Sequence, residues 1–260
     1  MSKTKEYART LKGGGAFTKE DIEMLYQNPS VANSYDQERF QSYAGRLKGR
    51  LEGYAVCAFI AQEKHDSILD LATGTGRFAV EMKRRFPNAN VIGIDQSAAM
   101  LKEARAKSSG PQFIEMDSFN TEFEDGFFNV VTAVLFIRHF GYANRRKAYA
   151  EIRRLLSPDG ALLMDVANRA YHENLIKDRP VYDEIYTKEE FHREMAENGF
   201  RVERFFGIPV RARGLGRILS LRKDMEARFL LECSLNKMLW GFGFFTRRSP
   251  NWIVRCRKIF

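Results

Sequence analysis

The stretch Ser67-Ile-Leu-Asp-Leu-Ala-Thr-Gly-Thr-Gly-Arg-Phe-Ala-Val-Glu81 constrains this chain more than any other. A short apolar run meets two closely spaced glycines and passes at once into an amphipathic run, which reads as strand, tight loop and helix. Gly74 and Gly76 let backbone approach a ligand without a Cβ in the way. The helix that follows aims unpaired N–H groups at whatever lies over the loop. In open α/β sheets such a turn, at the carboxyl end of a strand, is where nucleotides bind.

The rest of the sequence repeats the same alternation. Strands are predicted at Ser67–Leu71, Asn90–Ile94, Gln112–Met116, Val130–Phe136 and Ala161–Val166, with helices over Arg77–Phe86, Ala98–Lys107 and Ala143–Leu156. Ser157-Pro-Asp-Gly160 has turn chemistry, and 167–186 reads as irregular. Thr187-Lys-Glu-Glu190 has the form of a capping box, opening a helix over Glu189–Asn198 that Gly199 stops. Strands Arg201–Gly207 and Asn251–Arg257 follow. Repeated β-α-β units predict an α/β fold with a doubly wound, Rossmann-like parallel sheet. Before it, 18–64 reads as a helical cover, broken at Gly45 and preceded by a polar tail over 1–17 with three consecutive glycines. Residues 65–260 form the main domain, including a helical insert at 208–250 before the last strand.

Two ligands fit the glycine loop. Gly74-Thr-Gly76-Arg-Phe-Ala79 satisfies G-x-G-x-x-A, with Asp95 near the spacing a dinucleotide site requires, so an NAD-dependent oxidoreductase is one reading. Asp70 points elsewhere. A carboxylate four residues before Gly74 repels a pyrophosphate and suits a ligand bearing an amino group and a sulfonium. Leu69-Asp-Leu-Ala-Thr-Gly-Thr-Gly76 resembles motif I of class I S-adenosylmethionine (SAM)-dependent methyltransferases, with Ala72 where that family often has its first glycine. The resemblance implies a seven-stranded sheet whose last strand runs antiparallel, and SAM as cofactor. It places Asp70, Ala72, Gly74 and Gly76 at the methionine half. Asp95, in Val91-Ile-Gly-Ile-Asp-Gln96, would accept both ribose hydroxyls, with Gln96 beside it. Met100 would lie against the adenine or pack in the core, and Asp117 and Ser118 would meet the adenine amino group. Val31-Ala-Asn-Ser-Tyr35-Asp-Gln-Glu-Arg39 resembles segments that fold over SAM, with Tyr35 covering the ligand and Arg39 pairing with its carboxylate. Helix packing for Tyr35 and a solvated face for Arg39 are the alternatives.

Methyl transfer asks little of side chains beyond alignment and exclusion of water, and a base only where the nucleophile arrives protonated. His139, in Phe136-Ile-Arg-His-Phe140 past the fourth strand, is the best-placed candidate, and His172 is second; His65 and His192 stand alone. No Asn/Asp-Pro-Pro-aromatic tetrapeptide, Pro-Cys nucleophile or glutamate pair flanks the fourth strand, which leaves small-molecule or lipid-like acceptors. Cys57, Cys233 and Cys256 have no paired spacing, which argues against disulfides and a metal site. Neither an apolar run of spanning length nor a signal-peptide core is visible, so the expected location is cytoplasmic.

The net charge of +9 is local. Residues 211–258 hold twelve Lys/Arg against Asp224, Glu226 and Glu232, a surplus equal to that of the whole chain. With Trp240, Phe242, Phe244 and Phe245 in the same stretch, three readings stand. It is a packed lid, a lid that also touches an anionic membrane surface, or an RNA contact serving an RNA methyltransferase. A SAM-fold protein with a role other than methyl transfer is a further alternative.

Overall fold

The computed structural model describes residues 19–172, 183–208 and 249–259. The tail 1–17, Thr18 and nearly all of the 208–250 insert lie outside the described residues.

Three helices come first: α1 (Lys19–Gln27), α2 (Pro29–Phe40) and α3 (Tyr43–Ile60). Asn28 caps α2 by accepting the Ser30 N–H at 2.9 Å, and Pro29 takes the first helical position, where its missing donor costs nothing. The break expected at Gly45 falls instead at Gln41–Ser42. Ser42 caps α3 by accepting the Gly45 N–H at 3.0 Å, so the glycine lies in the first turn of the new helix.

The sheet then builds from β1 (Ser67–Leu71), α4 (Arg77–Arg85), β2 (Asn90–Asp95), α5 (Ala98–Lys107), β3 (Gln112–Glu115), β4 (Phe128–Ala133), α6 (Tyr142–Leu155) and β5 (Leu156–Asn168). After α7 (Arg169–His172) come β6 (Ile185–Tyr186), α8 (Lys188–Glu197), β7 (Phe200–Ile208) and β8 (Asn251–Lys258). The strand order is β3-β2-β1-β4-β5-β8-β7, with β8 antiparallel to both neighbours and the two-residue β6 added to β5. The described sheet therefore has eight strands, one more than expected. Ala167 and Asn168 extend β5 past its predicted end, and 185–186 pair with that extension. Ser157–Gly160 are a bulge within β5, because Phe128 pairs with Leu156 while Val130 pairs with Ala161. The capping box at Thr187 forms as its sequence requires: Thr187 Oγ1 accepts the Glu190 N–H at 3.2 Å, and Glu190 accepts the Thr187 N–H at 2.8 Å.

Strand periodicity sorts the core into two layers. Leu69, Leu71, Val131, Leu162, Met164 and Val254 face α6 and α8, meeting Tyr149, Ile152, Phe191 and Met195. Ile68, Val91, Val130, Leu163 and Ile253 face the other way, against Leu51, Val56 and Phe59 of α3 and Phe78 and Met82 of α4. With helices on both faces, the strand order reverses between β1 and β4. A crevice opens there at their carboxyl ends.

Candidate active site

The crevice is a cavity partly open to solvent and roofed by α1 and α2. Its first wall is the loop after β1. Ala72 and Gly74 adopt left-handed backbone, with φ of 54° and 56°. The family's usual glycine at position 72 follows from that φ, which an L-alanine adopts only at a cost. A Cβ built on Gly74 meets nothing within 4 Å, so it would occupy the cavity itself. Gly76 serves another purpose. Its Cβ would strike Ala104 Cβ at 2.7 Å and Phe113 at 2.9 Å, so it permits close packing of the loop on α5 and β3 and lies outside the cavity wall.

Half-buried Asp95 closes the second wall. Its Oδ2 accepts the Gly74 N–H at 2.8 Å and its Oδ1 the Ser97 N–H at 2.9 Å, so strand β2 fixes the glycine loop directly. The Gln96 backbone also acts on this carboxylate, which still faces the cavity, where a ligand hydroxyl can donate to it. Burial pushes the Asp95 carboxyl up from the ordinary 3.8, against the pull of these backbone donors. Ser97 is the helix cap, accepting the Met100 N–H at 3.2 Å, and its hydroxyl donates to the Tyr26 carbonyl at 2.7 Å. Gln96, Met100 and Ser118 also line this end.

Asp70 and Asp117 do not line the cavity. Asp70 is 2% exposed, and its two oxygens accept the Thr73 and Thr132 hydroxyls, each at 2.6 Å. Burial raises its pKa, and the two hydroxyls oppose the rise. It braces β1, the loop and β4 from below. Asp117 Oδ1 accepts the Phe119 N–H at 2.9 Å, a local turn that presents Ser118 and Phe119 to the cavity.

Tyr35 and Arg39 both line the roof, 3.1 Å apart through Arg39 Nη1 and the Tyr35 hydroxyl. Among the described residues no ion pair to a carboxylate holds Arg39; burial opposes its charge, but Tyr35, Glu52, Tyr26 and Asp165 together outweigh it and hold the guanidinium above its ordinary range. The roof is latched to the loop. Asp36 accepts from Thr75 Oγ1 at 2.8 Å and from Lys107, while Arg77 donates to the Gly49 carbonyl and to Glu52, each at 3.0 Å.

The opposite end is apolar. Past β4 the chain turns through Leu135, at φ 64°, into a 3-10 turn at Ile137–His139. Phe119, Phe136 and Phe140 meet edge to face, with centroids 5.1–5.5 Å apart, and His139 joins this wall. Asp165 Oδ1 accepts the Leu135 N–H at 2.5 Å, and Arg138 Nη1 lies 2.8 Å from Asp165 Oδ2. Sequence reading missed Thr73, Thr75, Arg77, Tyr26 and the carboxylates of Asp165 and Asp183. Asp165 could have been flagged as a lone acid in the apolar run Leu162–Val166. Asp183 carried no local signal. His172 stands outside the cavity, buried with Nε2 at 3.3 Å from the Asn251 side chain. Among the described residues, no group of three metal-binding side chains gathers.

Residues 68–160 match the family described as "Methyltransferase domain". The chain is 36% identical over 139 residues to the demethylmenaquinone methyltransferase of Thermus thermophilus, covering 52% of this chain and 61% of that protein. It is 32% identical over 151 residues to the enzyme of the same name from Thermotoga maritima, covering 58% and 63%. The chain thus spans about three-fifths of the length of these relatives. A solved SAM-dependent methyltransferase from Thermotoga maritima shares the fold at 22% identity, TM-score 0.55, over 70% of this chain and 82% of that one.

Proposed function

We propose that this chain is a class I SAM-dependent methyltransferase that methylates a small hydroxylated aromatic acceptor of the quinol type, a reading supported by the methyltransferase-domain match over 68–160 and by the relatives. The observation that carries the reading is one continuous cavity with two chemically different ends. Gly74 and Asp95 stand at one, and Phe119, Phe136, Phe140 and His139 at the other. The names of the relatives, which methylate demethylmenaquinone, favour a quinone-type acceptor.

SAM, when bound, supplies a methyl group already activated on a sulfonium. The open space over Gly74 and the cavity-facing carboxylate of Asp95 fit its ribose and methionine portions. Asp95 would accept the ribose hydroxyls, Met100 and Ser118 would frame the adenine, and Arg39 with Tyr35 would take the carboxylate. Gly76 and Asp70 support the loop from outside, and Asp117 shapes the turn carrying Ser118. The aromatic wall would hold a flat apolar ring and exclude water, which aligns the nucleophile and strengthens every charge interaction inside. His139 would take the proton of an acceptor hydroxyl, raising electron density on the ring for attack.

The chain divides, on this reading, into a tail at 1–17, a cover at 18–64 and a catalytic domain at 65–260. The basic segment 208–250 serves as lid and anionic-membrane contact for an apolar substrate. Calorimetry with SAM, then methyl transfer to reduced, short-chain demethylmenaquinone, tests the proposal. Tight binding of NADH with none of SAM would overturn it.

A further inference from the structure

The cavity roof carries one polar side chain to which methyl transfer has so far given no task. Tyr26, in the last turn of α1, lines the cavity. Its main chain is pinned, because the Ser97 hydroxyl donates to the Tyr26 carbonyl at 2.7 Å while Ser97 also caps α5. Its ring meets the Tyr35 ring edge to face, with centroids 5.9 Å apart, and packs on the apolar cluster that contains Phe136 and Phe140. Backbone and ring are thus held from separate sides, which leaves the hydroxyl little freedom of position.

Among the described residues no hydrogen bond engages that hydroxyl, although the carbonyl of the same residue has its partner. Nor is it one of the sealed side-chain atoms left unpartnered in the interior, as Glu52 Oε1 is. An oxygen that is neither bonded nor sealed opens onto the space its ring lines, and tyrosine hydroxyls in apolar surroundings ordinarily find a partner. The charges around it place it along the cavity. The phenol is influenced by Tyr35 and Arg39 of α2 and by Asp183 and Arg138 behind the aromatic wall, while Asp95 at the ribose end is not among these groups. Burial and Tyr35 hold the phenol well above its ordinary range, so it keeps its proton and acts as a donor.

We propose that Tyr26 is an acceptor-binding residue, its O–H donating to the ring oxygen of the hydroxylated aromatic acceptor. The inference rests on the methyl-transfer reading. Phe119, Phe136 and Phe140 select a flat ring, and the phenol adds a demand for oxygen on that ring. A plain hydrocarbon would strip the hydroxyl of water and return no bond, so the site disfavours it. As the acceptor oxygen gives up its proton and gains negative charge, the same bond becomes charge-assisted and strengthens. Tyr26 itself transfers no proton.

Tyr26→Phe removes one oxygen and keeps the ring. The full chain, loaded with S-adenosylhomocysteine, is titrated with 1-naphthol and with naphthalene, two flat ligands that differ by one hydroxyl. Tyr26→Phe should weaken 1-naphthol about tenfold and leave naphthalene within about threefold of wild type. For reduced short-chain demethylmenaquinone, kcat/KM should fall about 10- to 100-fold, with SAM affinity within about threefold. Equal weakening of both ligands, unchanged 1-naphthol binding, or a larger loss of SAM affinity overturns the proposal. So does a wild type that binds neither ligand. If Tyr26→Phe does not fold, Tyr26→Leu repeats the titration, with the ratio of the two affinities as the readout. A wild type that binds 1-naphthol through Tyr26 yet leaves demethylmenaquinol unmethylated ends the quinol reading and leaves this assignment standing.

Discussion

Replacing Asp70 by Asn separates a bracing role from direct contact with the cofactor. The carboxylate is buried beneath the glycine loop and accepts two hydroxyls at 2.6 Å, from Thr73 in the loop and Thr132 in β4. Hydrogen bonds to a charged group contribute about 1.5–3 kcal/mol each and neutral ones about 0.5–1.5, so neutralising the acceptor loses roughly 2–3 kcal/mol over the pair. Burial of the charge outweighs the two hydroxyl bonds, as the raised pKa of Asp70 indicates, so the net loss of about 1–2 kcal/mol comes from the carboxamide nitrogen, which cannot accept from the second hydroxyl. For a domain of this size that lowers the melting temperature by roughly 2–8 °C. SAM affinity should weaken up to about tenfold through displacement of the loop, 1.4 kcal/mol corresponding to a factor of ten. Thr132→Val should act non-additively with Asp70→Asn, with a coupling of about 1 kcal/mol in a double-mutant cycle. Calorimetric melting and SAM titration measure both quantities. An Asp70→Asn protein that melts like wild type yet binds SAM about 1000-fold more weakly would refute the reasoning, since only direct contact gives that pattern.

Asp95 yields a pH prediction. Its folded-state carboxyl sits above the ordinary 3.8, so it gains a proton earlier than an exposed aspartate as pH falls. SAM affinity, which needs the ionised acceptor, should therefore decline with acidification from above that value, and in Asp95→Asn this dependence should vanish in titrations across pH. Ala72→Gly should leave stability unchanged or raise it by up to about 1 kcal/mol, because relief of the left-handed alanine, about 1–2 kcal/mol, exceeds the added chain entropy. A urea midpoint shifted downward by more than that amount would show that the φ of 54° carries no strain. Vesicles containing anionic lipid should retain the full chain in flotation at low salt, and should lose it when 208–250 is replaced by a Gly/Ser linker. Equal flotation of both proteins would remove the membrane role.

The sheet was legible because its signals are local and redundant. Each strand announces itself by a short apolar run, and each helix by period and cap, as at Ser97 and Thr187. The antiparallel last strand was not local, and came from resemblance to the methyltransferase family. What the sequence concealed were meetings between distant residues. The β6 pairing joins 167–168 to 185–186 across a segment with no regular pattern, and two hydrogen-bonded pairs give no periodicity to read.

By itself the sequence determined the α/β class, the crevice at the glycine loop, and the residues Gly74, Asp95 and Ser118 that face it. Those residues sit at strand ends, where chain direction and strand period already fix which side they face. Only the tertiary structure decided what the buried charges do. Asp70, the residue that selected SAM over a dinucleotide in the sequence, lies below the cavity and holds two threonines. Asp183 met Arg138 only when the fold brought its Oδ1 3.1 Å from the guanidinium Nε, 45 positions away in the sequence. A carboxylate's role depends on which donors surround it, and donors arriving from separate strands and turns are set by packing, which no local pattern encodes.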